Sequence, residues 1–180
     1  EQHFTISVAD ANDAPLFTTP WPLVMDENRV GMVGMLTAQD QDGDTLTYAL
    51  GSEAPDWLTL DPDSGALWLT TPLDYEAQSS YLIVVTATDQ YGAVTVGDYQ
   101  LQVLDINEAP TGIALSNISL SPDGLAENPL IGSLSAIDPD RSDAFSYQLI
   151  GDDNGRFMLA GNELRLVDGT TLQAGENPAI

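Results

Sequence analysis

Two nearly matching strings, "VADANDAP" at residues 8–15 and "VLDINEAP" at 103–110, constrain this chain more than any other feature. Each starts like a β-strand, then sets three oxygen-bearing side chains within four positions (Asp10, Asn12 and Asp13; Asp105, Asn107 and Glu108) and closes on a proline. Proline has no N–H to give a strand ladder, so the strand stops there. Aligning the strings sets Asp10 on Asp105, a period of 95 residues. The residues downstream of each string also match in order: Glu27-Asn28 with Glu127-Asn128, Asp40-x-Asp42 with Asp138-x-Asp140, and an aromatic strand around Tyr48 or Tyr147. Further on, "GALWL" is echoed by "NELRL", pairing Leu67 with Leu164 and Leu69 with Leu166. Ordered self-similarity at a fixed spacing means tandem copies of one structural unit.

The unit is β throughout. Val33, Leu36, Leu46, Tyr48, Leu50, Leu67, Leu69, Leu82, Val84, Thr86, Leu101 and Val103 fall in short runs, several alternating, divided by Gly, Pro, Asp and Asn turns. No window supports a long amphipathic helix. About seven short strands in about a hundred residues predict an all-β fold of tandem Greek-key β-sandwich repeats, end to end. Residues 1–13 read as the last strand and linker of a preceding repeat, 14–109 as a complete repeat, and 110–180 as a second, C-terminally incomplete one. Nothing beyond Leu166 corresponds to "YLIVVTATDQYG" or "YQLQVLD". The chain opens in mid-pattern with no signal peptide and reads as a piece of something longer.

Charge narrows the partners. Against 28 Asp and Glu stand four Arg and no Lys, for a net charge of -24. Such a polyanion has nothing to offer nucleic acid or an anionic membrane surface. No apolar run approaches the roughly eighteen residues of a membrane span, so no membrane insertion is expected. With no cysteine there is no disulfide and no thiolate metal site, and metal ions are another staple for a secreted fold.

On a sandwich the acids gather at two ends. Glu27, the "PLDYE" pair Asp74 and Glu76, and the tail Asp105-Ile106-Asn107-Glu108 share the lower end; Asp40-x-Asp42 and Asp89 of "TATDQYG" share the upper. Two carboxylates about 4 Å apart repel by about 4 kcal/mol at a surface-like dielectric. Calcium resolves this with 6–8 oxygen ligands in flexible geometry, whereas magnesium keeps its waters and zinc lacks cysteines and finds only His3. Competing readings are weaker. "DPDSG" at 61–65 is a plain turn; "DQDGD" is no EF-hand, since Thr45 stands where the glycine must be and no Glu closes the loop. Asp74-x-Glu76 could be a catalytic carboxylate pair as in glycosidases, but no cleft is predicted and a calcium role is available; His3 has no nucleophile to serve, and the chain is not read as an enzyme. Trp21, Trp57 and Trp68 read as core or edge packing, and "NIS" at 117–119 as a chance sequon.

The order Glu-Asn, Asp-x-Asp, Leu-Asp-x-Glu, Ala-x-Asp and Asp-x-Asn-Asp/Glu-x-Pro resembles the cadherin repeat, and "APDWLTLDPDSGALWL" is similar to cadherin-like repeats of large bacterial surface proteins. The resemblance implies Ca2+ at each junction between repeats. Glu27, Asp74, Glu76 and Glu108 would bind the outermost ion. Glu27, Glu76, Asp105, Glu108, Asp140 and the Ile106 carbonyl would hold the second, and Asn107, Asp138, Asp140 and the Ala109 carbonyl the third. Glu108 replaces the usual Asp, one methylene longer. The preceding junction keeps Asn12, Asp13, Asp40, Asp42 and Asp89 and is expected to hold one ion. In the second repeat "TLQAGE" stands for "PLDYE", with Gln173 for Asp and Glu176 displaced, which weakens a downstream junction. The implied function is a calcium-rigidified adhesive module of a long extracellular, cell-surface protein. Its partners would be other cadherin-like repeats of the same or a neighbouring chain, or a homophilic or glycan ligand; the alternative is a calcium-dependent carbohydrate-binding module. A neighbour's "HFTISVAD" could also add to the open edge of 110–180.

Overall fold

Period-two alternation builds the molecule. In "YLIVVTA" Ile83, Val85 and Ala87 are buried while Leu82 and Val84 face outward, the pattern of a strand with one face on a core. The computed structural model describes residues 2–20, 22–116, 127–141, 143–151 and 154–170, and the chain divides into two units, Glu1–Ile106 and Asn107–Ile180. No helix occurs among the described residues, and none is long and apolar enough to cross a membrane.

Among its described residues the first unit has nine strands: β1 Leu16–Phe17, β2 Leu23–Asp26, β3 Gly31–Met35, β4 Ala38–Gln39, β5 Leu46–Leu50, β6 Leu58–Leu60, β7 Ala66–Leu69, β8 Ser80–Asp89 and β9 Val94–Leu104. One sheet runs β2-β9-β8-β5, a second β3-β7-β6, and β1 pairs with β4. The β8–β9 hairpin is the spine, in register from Ser80 opposite Gln102 to Thr88 opposite Val94. β2 lies parallel to β9, Leu23 on Leu101 and Asp26 on Leu104, so the first long strand and the last leave the sandwich side by side. Leu36, Leu58, Leu67, Leu69, Ile83, Val85, Leu101 and Val103 pack between the sheets, each buried side chain contributing about 2 kcal/mol of apolar transfer. Asp61 makes "DPDSG" a turn by accepting from Ser64 N (2.8 Å) and Ser64 Oγ (2.7 Å). Gly65 comes next at φ +73°, where a Cβ would fall 2.2 Å from the Leu36 carbonyl oxygen. Only glycine fits there.

The second unit has β10 Gly112–Leu115, β11 Leu130–Ile137, β12 Phe157–Ala160 and β13 Glu163–Leu166, in the order β10-β11-β13-β12, all antiparallel. Its core gathers Ile131, Phe157, Leu164 and Leu166. The repeat is visible in detail: Leu67 and Leu69 are buried like Leu164 and Leu166. The Tyr48 hydroxyl accepts from Ala38 N (3.1 Å) as the Tyr147 hydroxyl accepts from Ala136 N (2.8 Å). One expectation fails, because Tyr147 lies in no strand. Its counterpart segment, β5, has a single sheet neighbour, β8, and no counterpart of β8 stands among the described residues, so this backbone has no ladder to join. Of the tryptophans, Trp57 packs edge-on against Tyr81 at 4.9 Å, whereas Trp68 is 44% exposed on β7, where core or edge packing was expected. Trp21, the 117–119 sequon and "TLQAGE" lie outside the described residues.

Candidate metal site

Glu27 sits directly after β2 and is 1 % exposed. Its two carboxylate oxygens are held by separate backbone segments: Oε1 accepts from Ile106 N (2.8 Å) and Oε2 from Tyr75 N (2.9 Å). Glu27 N donates to the Leu104 carbonyl at 3.0 Å, continuing the β2–β9 pairing by one step. Asn28 then turns the chain at φ 58° and donates to the Leu73 carbonyl at 2.9 Å. The 73–76 loop is thereby fastened beside the exit of β9. Asp74 caps its own turn by accepting from Ala77 N at 2.9 Å. One carboxylate oxygen each from Glu27, Asp74 and Glu76 lies within 4.8 Å of the others. At that separation each pair repels by about 3.5 kcal/mol at an effective dielectric of 20, less on the exposed Asp74 side.

A second set belongs to the second unit. Glu108 N donates to Asp140 Oδ2 (2.7 Å), and Asp140 N to Asp138 Oδ1 (2.9 Å). Asn107 turns its amide to the Glu108 carbonyl (2.9 Å), and Ala109 lies in the coil before β10. Asp138, Asp140 and Asp143 bring carboxylate oxygens within 4.8 Å, and Asp138 Oδ2 is buried with no hydrogen-bond partner.

The third set stands at the opposite end of the first unit, around Asp40, Asp44 and Asp89, again within 4.8 Å. Asp40 Oδ1 accepts from Asp42 N (2.9 Å) and Asp44 N (3.3 Å). Asp89, the last residue of β8, accepts from Tyr91 N and Ala93 N on Oδ1, both at 2.8 Å, and from the Asn12 amide on Oδ2 at 2.7 Å. The Asn12 amide and then the backbone N–H groups hold its carboxyl below the ordinary value, against the opposing pull of burial. Asp40 Oδ2 and Asp44 Oδ2 are buried without hydrogen-bond partners. Buried carboxylate oxygens with free lone pairs, in sets without nitrogen or sulfur, fit a hard divalent cation and suit Ca2+.

Glu27, Asp74 and Glu76 thus come together, as do Asp138 with Asp140 and Asp40 with Asp89. Asp105 is the first residue past β9, next to the Ile106 N–H that Glu27 holds. Asp42 belongs to none of the carboxylate triples; its Oδ2 accepts from Asp13 N at 2.7 Å, which ties the incoming tail to the loop. Asp44 and Asp143 were not among the expected ligands. Their signal was present, since each Asp-x-Asp loop carries one further Asp before its aromatic segment.

The family profile of the cadherin domain matches residues 23–104. Human Cadherin-17 is 34% identical over 116 residues, covering 62% of this chain and 14% of its own length. Human Cadherin-23 is 36% identical over 107 residues, 56% of this chain and 3% of its own. Human Protocadherin Fat 4 is 30% identical over 177 residues, 90% of this chain and 4% of its own. The chain therefore spans a small part of the relatives it matches. Among solved structures, human Protocadherin-24 EC1-2 superposes with a TM-score of 0.68 at 24% identity, covering 94% of this chain and 83% of that one. Protocadherin Gamma B7 extracellular cadherin domains 1-4 gives 0.67 at 25%, covering 91% and 43%.

Proposed function

Residues 23–104 are a cadherin domain, and from that premise we propose that the chain is a calcium-binding, extracellular module that stiffens a long surface protein and serves adhesion. On the first unit the ligands are Glu27, Asp74, Glu76, Asp105 and the Ile106 carbonyl at one end, with Asn12, Asp13, Asp40, Asp42, Asp44 and Asp89 at the other. On the second they are Asn107, Glu108, Asp138, Asp140 and the Ala109 carbonyl. The observation that carries the reading is buried Glu27, whose carboxylate holds both the outgoing tail and the 73–76 loop within reach of two further carboxylates. Ions there would fix the 105–110 tail, which otherwise bears mutually repelling acids.

The proposal extends to residues 1–13 as the last strand and linker of a preceding repeat. At the 95-residue period Phe4, Ile6 and Val8 correspond to Tyr99, Leu101 and Val103, the buried residues of β9, yet they are 86, 88 and 91% exposed. The proposal takes in a bacterial surface protein, on the resemblance of "APDWLTLDPDSGALWL" to bacterial cadherin-like repeats alone. Asp74 and Glu76 serve the ion, not catalysis. Calorimetric titration is expected to give dissociation constants of about 10⁻⁴–10⁻³ M, and small-angle scattering a narrower set of dimensions with calcium than with chelator. Identical scattering in both removes the stiffening role. A second reading, glycan binding, draws on the outward Trp68, and binding of calcium-loaded protein to a glycan array, lost in Trp68→Ala, would establish it.

A further inference from the structure

A β-bulge turns two thioethers to one face. Met32 and Met35 stand three positions apart, so an unbroken β3 would send them to opposite sides of its sheet. The register against β7 slips between Met32 and Gly34, so that Met32 lies opposite Trp68 and Met35 opposite Ala66, partners two positions apart. The residues between absorb the slip on the inner side: Val33 packs against the core, and a Cβ on Gly34 would meet Leu23 Cδ2 at 3.6 Å. Met32 is 47% and Met35 49% exposed, with Trp68 at 44%. Directly opposed residues of an antiparallel pair share a face, with Cβ atoms about 5 Å apart, which places Met32 and Trp68 side by side. The chain's other methionines are more covered: Met25 packs against the core of the first unit, and Met158 on β12 is half-buried.

We propose that Met32 and Met35 form a paired site of reversible oxidation by two-electron, oxygen-donating oxidants of the peroxide class. The chain has no cysteine, so methionine is its only sulfur nucleophile, and oxidation follows exposure. The thioether sulfur attacks one peroxide oxygen; the S–O bond forms as the O–O bond breaks, sulfur gives up two electrons, and the other oxygen takes up a proton and leaves as water. A dithiol reverses the step: it is oxidised to its disulfide while the sulfoxide oxygen departs as water, under a methionine sulfoxide reductase. Each event turns an apolar side chain into a strongly hydrogen-bonding one. Because both residues face solvent, the sandwich core is spared, and what changes is the polarity of the face that carries Trp68. No carboxylate lies on β3 or β7, so the site is independent of the acidic sets and of any ion they hold.

Treatment of the folded 180-residue chain with hydrogen peroxide, followed by peptide mass mapping over time, tests this in chelator and in calcium alike. Met32 and Met35 are expected to gain oxygen at rates within about threefold of each other and at least about tenfold faster than Met25, whereas in urea all four methionines should converge. The oxidised chain should melt within about 2 °C of the untreated one and leave a hydrophobic-interaction column earlier, and methionine sulfoxide reductase with a dithiol should restore the original elution. In a Met32→Leu/Met35→Leu double variant, peroxide should leave the elution unchanged. Protection of either residue to the level of Met25, equal rates at all four in the folded chain, an elution that oxidation does not shift, or sulfoxides that the reductase cannot reverse overturns the proposal.

Discussion

Replacing Glu27 by Gln separates the structural role of this carboxylate from its role as a ligand. The amide keeps one acceptor oxygen but turns an NH2 toward either Ile106 N or Tyr75 N, both of which now donate to the carboxylate. One charge-assisted hydrogen bond is lost, at about 1.5–3 kcal/mol. Against this, the variant removes two repulsions with Asp74 and Glu76, at most about 3.5 kcal/mol each at the 4.8 Å limit and less after screening. In chelator the two effects offset, and the stability of the first unit is expected to change by no more than about 2 kcal/mol. In calcium the outcome differs. With a dissociation constant of about 0.5 mM, about 10 mM calcium adds about 1.8 kcal/mol per ion, which raises the melting midpoint of a domain this size by about 7–14 °C. Melts followed by circular dichroism in calcium and in chelator, on both proteins, read the difference. Wild type should gain that increment at the Glu27 set and Glu27→Gln should lose it. If the variant keeps the full calcium increment, Glu27 is not a ligand; if it is crippled equally in both conditions, its role is wholly structural.

Gly65→Ala forces a Cβ to 2.2 Å from the Leu36 carbonyl at a positive φ, and urea unfolding should show a loss of about 2–4 kcal/mol. At the upper end of the first unit, Asp44→Asn removes a carboxylate from the triple and should lower calcium affinity about tenfold by calorimetric titration, whereas Asp42→Asn, whose oxygen is engaged by Asp13 N, should lower it less. Asp61 is held below its ordinary 3.8, first by the Ser64 N–H and then by the Ser64 hydroxyl. A lowered folded value means its contribution is full above 3.8 and is lost as pH falls through the lowered value, so Asp61→Asn should flatten the acid limb of the stability–pH curve there.

How much could be read beforehand depends on whether the cause was local. The repeat was legible because Leu67 and Leu164, or Tyr48 and Tyr147, do the same work in both copies, burying a side chain or receiving an N–H. Turns such as Asp61–Gly65 were legible because their hydrogen bonds close within a few residues. The outward Trp68 was not: it obeys the alternation of its own strand, between buried Leu67 and Leu69, and only the habit of reading a large ring as packing hid it. Nor was the parallel β2–β9 pairing, which joins residues nearly eighty positions apart and leaves no periodic mark on either strand. Asp44 and Asp143 were passed over because a two-carboxylate motif was already complete without them.

That pairing also separates the two ends of the first unit energetically. The Glu27 set draws on three segments, 27, 74–76 and 105–106, which meet only when β2 lies on β9 and the 73–76 loop is fastened to Asn28. The unfolded chain cannot assemble such a set without closing loops of about 30 to about 80 residues, and their closure entropy prevents it from holding an ion there. The Asp40 set is different: two of its three carboxylates, Asp40 and Asp44, lie within five consecutive residues, so the unfolded chain retains part of the site even with Asp89 far away. Because affinity for the unfolded chain subtracts from ligand-linked stabilisation, an ion of equal native affinity stabilises the sandwich more from the Glu27 end than from the Asp40 end. On the proposed calcium role, the end from which the tail departs is therefore the one where ion binding would be most tightly coupled to folding.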